Sequence, residues 1–318
     1  MSPRAHIIVL GSGAGGGSPQ WNCNCAICRR VRDDESGSLR RTQTSLAVSA
    51  DGERWVLINA SPDLGEQLRA TPALHPKKPG RHSPIEAVVL TGAEVDQVTG
   101  LLTMRESEPF AVYASGATHA ALDESPIFNA LNRQIVPRRH LPSNERTDLT
   151  DHAGQTLDVT VESFPVPGKV PLYKEVPGET PVVGEVTENN VALRITVGED
   201  FFFFIPGCAA ITPDLCERVQ GAPLMFFDGT LWRDNELIAT GLGKKSGHRM
   251  GHVSISGRDG AIEQFSAADV KRKIFIHLNN SNPVLLPDTE ERQAVEAAGW
   301  EVAHDGMTIE FDSLSPTS

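Results

Sequence analysis

Short apolar runs recur along the whole chain, some alternating with polar residues and others apolar throughout. Alternation marks a strand with one buried face, and an unbroken short run marks a strand buried on both. The runs that read as strands are His6–Leu10, Ser45–Ser49, Arg54–Asn59, Ala87–Thr91, Phe110–Ala114, Asp158–Phe164, Asn190–Val197, Phe201–Ile205, Leu224–Asp228 and Lys273–Leu278. Helical spacing occurs between them at Pro62–Ala70, His119–Asn129, Pro213–Gln220, Ser266–Arg272 and Asp288–Ala298. The last opens on Pro287 and Asp288, has Glu290 and Glu291 in its first turn, and stops at Gly299, a helix start and stop in sequence. Residues 164–186 are rich in Pro and Gly without periodicity and read as a long loop, of the kind that is often functional. No repeat is visible. Strands dominate both halves with helices interspersed, which predicts an α/β (α+β) fold, an αββα sandwich, in one domain over residues 1–318.

The first strand runs into "GSGAGGGSPQWNCNCAIC", which contains a G-x-G-x-x-G at Gly11, Gly13 and Gly16. A dinucleotide site needs a helix opening at the third glycine, because the pyrophosphate rests on that helix's N-terminus. Here Gly17, Ser18 and Pro19 follow, and no 3.6-residue apolar pattern continues. The glycines read instead as a turn that lets backbone approach a site closely.

Charge narrows the partners. The chain has 29 basic and 41 acidic residues, net −12. No basic stripe accompanies this, since "HPKKPGRH" at His75–His82 is short and broken by prolines, so nucleic acid is excluded as a partner. No apolar run is long enough to span a bilayer, and the N-terminus lacks a basic segment leading into a long apolar one, so a cytoplasmic protein without membrane partners is expected. Self-association is left open.

Of five cysteines, Cys23, Cys25 and Cys28 fall within six residues. An odd count this crowded is a poor disulfide framework. C-x-C-x-x-C can set three thiolates around one Zn²⁺, forming a zinc loop near residues 21–30 whose fourth ligand comes from elsewhere. Cys208 and Cys216 are isolated and read as core residues. Polar side chains also stand at the ends of apolar strands: Glu94, Asp96 and Gln97 after one, Asp228 after another, His277 after a third, with His248 and His252 in "GHRMGHVSISG". Carboxylates and imidazoles from separate strand ends are the usual way to build a metal site on a rigid scaffold. Taken singly, Asp228 before Gly229 also reads as a turn residue, and His252 and His277 as structural histidines.

Long strings now carry a resemblance: "VLGSGAGGGSPQWNCNCAICR", "RTQTSLAVSADGERWVLINASPDL", "IPGCA", "FFDGTLWRDNEL", "MGHVSISGRDGAIE", "IFIHLNNSNPVLL" and "AAGWEVAHDGM". In this order they resemble the pyrroloquinoline quinone (PQQ) biosynthesis B proteins of the metallo-β-lactamase fold superfamily, almost end to end. The resemblance implies that superfamily's αββα sandwich, a structural Zn²⁺ in the cysteine loop and an Fe²⁺-type active site. The superfamily motif H-x-H-x-D-H, aligned on "LTGAEVDQ", falls on Gly92, Glu94, Asp96 and Gln97. The first two histidines are absent, and with them a first metal site. The second site would use Asp96, Gln97, Asp228 and His277, with His252 at the position of proton transfer. Gln97 departs from the histidine of the pattern, and a neutral carboxamide is a weaker ligand for Fe²⁺ than imidazole. Asn280 stands where relatives carry a histidine near the zinc. It is a poor Zn²⁺ ligand, so the fourth zinc ligand stays unassigned.

The resemblance further implies O₂-dependent hydroxylation of the tyrosine ring of a Glu–Tyr-derived precursor of PQQ, a small peptide-derived or diamino-acid substrate, with other PQQ biosynthesis proteins as partners. Arg105 reads either as a surface residue or as the partner of a substrate carboxylate. Two rival readings follow: a non-catalytic binding or carrier protein for PQQ or its precursor, favoured by Gln97, and a metal-dependent phosphodiesterase. The second needs two metals, and the absent histidines at Gly92 and Glu94 count against it.

Overall fold

The computed structural model describes residues 4–311; the ends of the expected domain, 1–3 and 312–318, lie outside the described residues. Two seven-stranded sheets face each other. In spatial order the first is β14 (Thr308–Glu310), β1 (His6–Gly11), β2 (Ser45–Ser49), β3 (Trp55–Ile58), β4 (Ile85–Val89), β5 (Ala111–Ala114) and β6 (Arg138–His140). The second is β13 (Trp300–Val302), β12 (Val270–Ile276), β11 (Ala222–Asp228), β10 (Asp200–Ile205), β9 (Glu185–Val197), β8 (Thr156–Gly168) and β7 (Arg146–Thr150). Both are mixed. Pairing is antiparallel from β14 to β3 and parallel from β3 to β6, and likewise antiparallel from β7 to β10 and parallel from β10 to β13.

The apolar patterning explains the layers. In β10, Phe202 and Phe204 point between the sheets with Phe226, Ile274 and Val161, while Phe203 and Ile205 face a second core with Phe227, Phe275 and Trp300. A strand covered on both faces must be apolar at every position, hence FFFFI. The first sheet has its own outer core, where Leu57, Val88 and Val112 meet Leu64, Leu101 and Leu122. The result is the αββα sandwich. No described helix is long and apolar enough to cross a membrane.

Each predicted strand lies on an observed one; β6, β7, β13 and β14 are too short or too polar to show in the pattern. One predicted helix is corrected. Ser266–Arg272 is not helical: the helix there is Ala261–Gln264, and Val270 already opens β12, recruited by parallel pairing of Val270 with Ala222 and of Arg272 with Leu224. The helix Ala26–Asp33, in the cysteine loop, went unpredicted. The loop at 164–186 is also shorter than expected. β8 continues through Pro165 and Pro167 to Gly168, paired with β9 and broken by an irregularity between the prolines. β7 pairs only with residues up to Glu162, so these prolines sit where the ladder has a partner on one side and no donor is needed on the other.

Candidate metal centres at the strand ends

The parallel strands β4, β11 and β12 deliver their C-terminal ends to one edge of the sandwich, and the functional side chains emerge there. Asp228 closes β11 and is completely buried. Its Oδ2 accepts the Cys208 amide at 2.9 Å and meets His252 Nδ1 at 2.7 Å. Its Oδ1 accepts the Thr230 amide and hydroxyl at 3.0 and 2.7 Å. Thr230 Oγ1 in turn lies 3.1 Å from His252 Nδ1 and 2.8 Å from His277 Nδ1. The other nitrogen of His277, Nε2, lies 2.9 Å from Asp96 Oδ2. A continuous chain therefore runs Asp96, His277, Thr230, Asp228, His252, and the two imidazoles stack with centroids 5.1 Å apart.

His277 follows β12 directly and takes φ +62°, a left-handed backbone that costs a non-glycine residue about 1–3 kcal/mol. The bonds at both ring nitrogens hold it there. Burial disfavours charge on His277 and Asp96 alike. The bond between them and their mutual attraction outweigh it, lowering the Asp96 carboxyl and raising the His277 imidazolium from their ordinary ranges.

Ligand atoms of Asp228, His252 and His277 all lie within 4.8 Å of one another. The 2.9 Å edge between Asp96 Oδ2 and His277 Nε2 matches two cis ligands of an ion with bonds of about 2.1 Å, which stand about 3 Å apart. Asp228, His252 and His277 thus form one cluster of donor atoms, which Asp96 joins through His277 Nε2, and carboxylate and imidazole donors of this kind suit a transition-metal ion.

Gln97 is placed differently from a free ligand. Its Oε1 accepts the Glu94 amide at 3.0 Å and its Nε2 reaches Thr91 Oγ1 at 3.3 Å, so it caps the turn Val95–Val98 that carries Asp96. Glu94 turns to Lys169 Nζ at 2.8 Å and to the Leu172 amide. His248 is exposed on the short helix Gly247–Met250 and does not join the chain of contacts, and Arg105 is exposed beside Glu106. The cleft over these groups has a volume of about 490 Å³ and is walled by the glycine turn, Lys169, Leu172, Asn190 and Met250.

The glycine turn is a hinge of backbone contacts with no helix start. Gly13 bridges both Gln43 and Leu278, joining the two sheets at this edge. A Cβ on Gly11 would lie 2.2 Å from Gln43 O, and one on Gly15 would come against Asp96 Oδ2. Partly buried Asp305 fastens the turn by accepting the Ser12 amide and hydroxyl and the Thr42 amide and hydroxyl at 2.6–3.0 Å.

The cysteine loop lies against the same edge. Cys23, Cys25 and Cys28 bring their Sγ atoms within 4.8 Å of one another. Cys25 caps the helix Ala26–Asp33, its Sγ accepting the Cys28 amide at 3.4 Å. Burial and the neighbouring thiols push the Cys25 thiol up to about 11, while bonds from Cys25, Cys28 and Asn280 outweigh burial and lower Cys23. Three thiols cannot all ionise in such a space without a cation, and a soft divalent ion suits them. Asn280 lies beside them, donating Nδ2 to Cys28 Sγ at 3.2 Å. Cys208 is buried in the core, and Cys216 packs partly buried against it.

Comparison with known proteins adds a family. The beta-lactamase superfamily domain matches residues 54–278. The coenzyme PQQ synthesis protein B of Gluconacetobacter diazotrophicus is 51% identical over 95% of this chain and 98% of its own. That of Xanthomonas campestris is also 51% identical, over 95% of this chain and 99% of its own. The chain belongs to the coenzyme PQQ synthesis protein B family. A crystal structure of Zn²⁺-bound PqqB from Methylobacterium extorquens, 44% identical, superposes with a TM-score of 0.91 over 96% of this chain and 99% of that one. A diphosphatase of the PhnP family, 23% identical with a TM-score of 0.66 over 98% of both chains, shares the fold. Within this PQQ synthesis B chain, sequence reasoning missed Thr230, whose hydroxyl joins three of the site's side chains, and Lys169. The only signal for Thr230 was its position two residues after Asp228 in "DGT".

Proposed function

We propose that this protein hydroxylates the tyrosine ring of a Glu–Tyr-derived precursor of PQQ, using Fe²⁺ and O₂, with Zn²⁺ held structurally in the cysteine loop. The observation that carries the reading is the single linked set Asp96, His277, Thr230, Asp228 and His252 lining a cleft of small-molecule size. Asp96, Asp228 and His277 would hold the iron; carboxylate and imidazole donors with open positions suit non-haem Fe²⁺. Bound Fe²⁺ supplies the one-electron chemistry that O₂ needs to react with a closed-shell ring. One oxygen atom enters the ring and the other leaves as water, with two electrons from an added reductant. Thr230 fixes His277 through Nδ1, so that Nε2 faces Asp96. His252, held at Nδ1 by Asp228 and Thr230, has Nε2 left for proton exchange with the substrate. Cys23, Cys25 and Cys28 would hold Zn²⁺ through three thiolates, with Asn280 donating a hydrogen bond to Cys28, a proposal that the Zn²⁺-bound relative supports. The protein is expected to act with other PQQ biosynthesis proteins, in the cytoplasm.

A two-metal phosphodiesterase finds no support here: Glu94, at one of the missing histidine positions, is tied to Lys169, and Gly92 at the other has no side chain. The test is metal content after purification without oxygen and loading with Fe²⁺, followed by mass analysis of the product. The expected result is about one Zn and one Fe per chain, with iron but not zinc lost in Asp228→Ala, and a product one oxygen atom heavier. Zinc alone under every loading condition, with tight binding of the precursor, would instead establish a carrier.

A further inference from the structure

Three cations converge on one carboxylate beside Lys169, a wall of the cleft. Glu175 Oε1 and Oε2 receive Arg249 Nη1 and Nη2 at 3.3 and 3.0 Å, a two-pronged guanidinium contact. Lys169 Nζ lies 3.3 Å from Glu175 Oε1, and Lys245 Nζ 3.9 Å from Oε2. Lys169 also holds Glu94 and is itself a wall of the cleft. The stem of Lys169 packs on Gly251, where an added Cβ would lie 3.3 Å from Lys169 Cγ, and Gly251 adjoins His252. Lys169 alone of the four lines the cleft that holds the histidine pair, so the cradle adjoins that cleft through Lys169.

The segment that carries this carboxylate is lightly packed. Glu175 lies on the segment 169–184 between β8 and β9, just past the 3₁₀ turn Leu172–Lys174. Neighbouring Leu172, Val176 and Val182 are 54%, 56% and 63% exposed, so little apolar burial holds this segment down. Its charged contacts are the principal tie between Glu175 and the body of the protein. Arg105, the other candidate for meeting a substrate carboxylate, is exposed and faces Glu106.

We propose that Lys169, Lys245 and Arg249 recognise a carboxylate of the substrate, and that Glu175 occupies their site until that carboxylate replaces it. The inference rests on the reading that a small amino-acid-derived molecule enters this cleft. Recognition needs no iron, O₂ or turnover, so it can be tested apart from hydroxylation.

The probe is glutarate, titrated calorimetrically into zinc-bearing protein without iron. Glu175→Gln keeps the shape and removes the competing charge, and is expected to bind glutarate about tenfold more tightly than the unaltered chain, the gain falling with added salt. Arg249→Gln is expected to abolish binding in either background. Equal or weaker binding by Glu175→Gln overturns the proposal and leaves a structural ion pair. If Glu175→Gln fails to fold, Arg249→Gln decides alone: undiminished glutarate binding in that variant overturns the proposal equally. Iron-dependent product formation in a chain that fails these binding tests would sink the carboxylate site and leave the hydroxylase reading standing.

Discussion

Gln97 shows how a residue's role depends on what its polar atoms already touch. By type it is a possible metal ligand, but its carboxamide oxygen accepts the Glu94 amide and its nitrogen reaches Thr91. A group so committed orients the Asp96 turn, leaving Asp96, Asp228 and His277 as the proposed donors. Gln97→Ala is therefore expected to lose about 1 kcal/mol of stability, the usual cost of a lost cap, while retaining iron on loading. Denaturant melts and metal analysis on the same sample check this, and loss of iron with unchanged stability would make Gln97 a ligand. Thr230 is the reverse case: an unremarked hydroxyl in the sequence that bonds Asp228 and both histidines in the fold.

Among the elements, the β2–β3 connection has a pH dependence whose sign can be worked out. Burial raises the Asp51 carboxyl, but the Arg54 and Glu53 amides and the Arg54 guanidinium outweigh it and hold it at about 2. An unfolded aspartate titrates near about 3.9. The folded value is the lower, so the stabilisation is present above about pH 4 and is lost as pH falls toward 2. Asp51→Ala is expected to melt below the unaltered chain at neutral pH, with the difference narrowing as pH falls from about 5. Thermal melts of both chains across that range test it; a constant difference would mean that the turn is held by something other than the carboxylate. The element patterning was legible where burial is total, as in FFFFI, and misleading at Ser266–Arg272, where sheet pairing overrode a helical spacing.

Across the whole molecule the two proposed metal centres share adjoining stretches of chain. His277 at the cleft and Asn280 at the cysteines belong to one short segment, while the glycine turn that walls Asp96 leads into the cysteine loop. Removal of zinc by a chelator is expected to lower the melting temperature by about 5 °C or more, since a structural zinc adds directly to folding free energy. It is also expected to speed hydrogen exchange in residues 20–30 and 277–282 together. Faster exchange at the cysteines alone would show that the centres are independent.

The sequence by itself determined the layers, because apolar runs and their alternation state which faces must be buried. It determined the thiol cluster, because three cysteines within six residues cannot be far apart in any fold. It also carried the family, in long strings. Only the tertiary structure decided which strand-end groups meet. Asp96 and His277 are 181 residues apart, and no local pattern encodes a 2.9 Å contact between them. The same holds for Lys169, Lys245, Arg249 and Glu175, four surface-like residues in sequence that share one charged site in the fold. Local chain chemistry fixes what each segment is. The packing of two sheets fixes which segments end side by side, and chemistry that depends on distance follows from that packing.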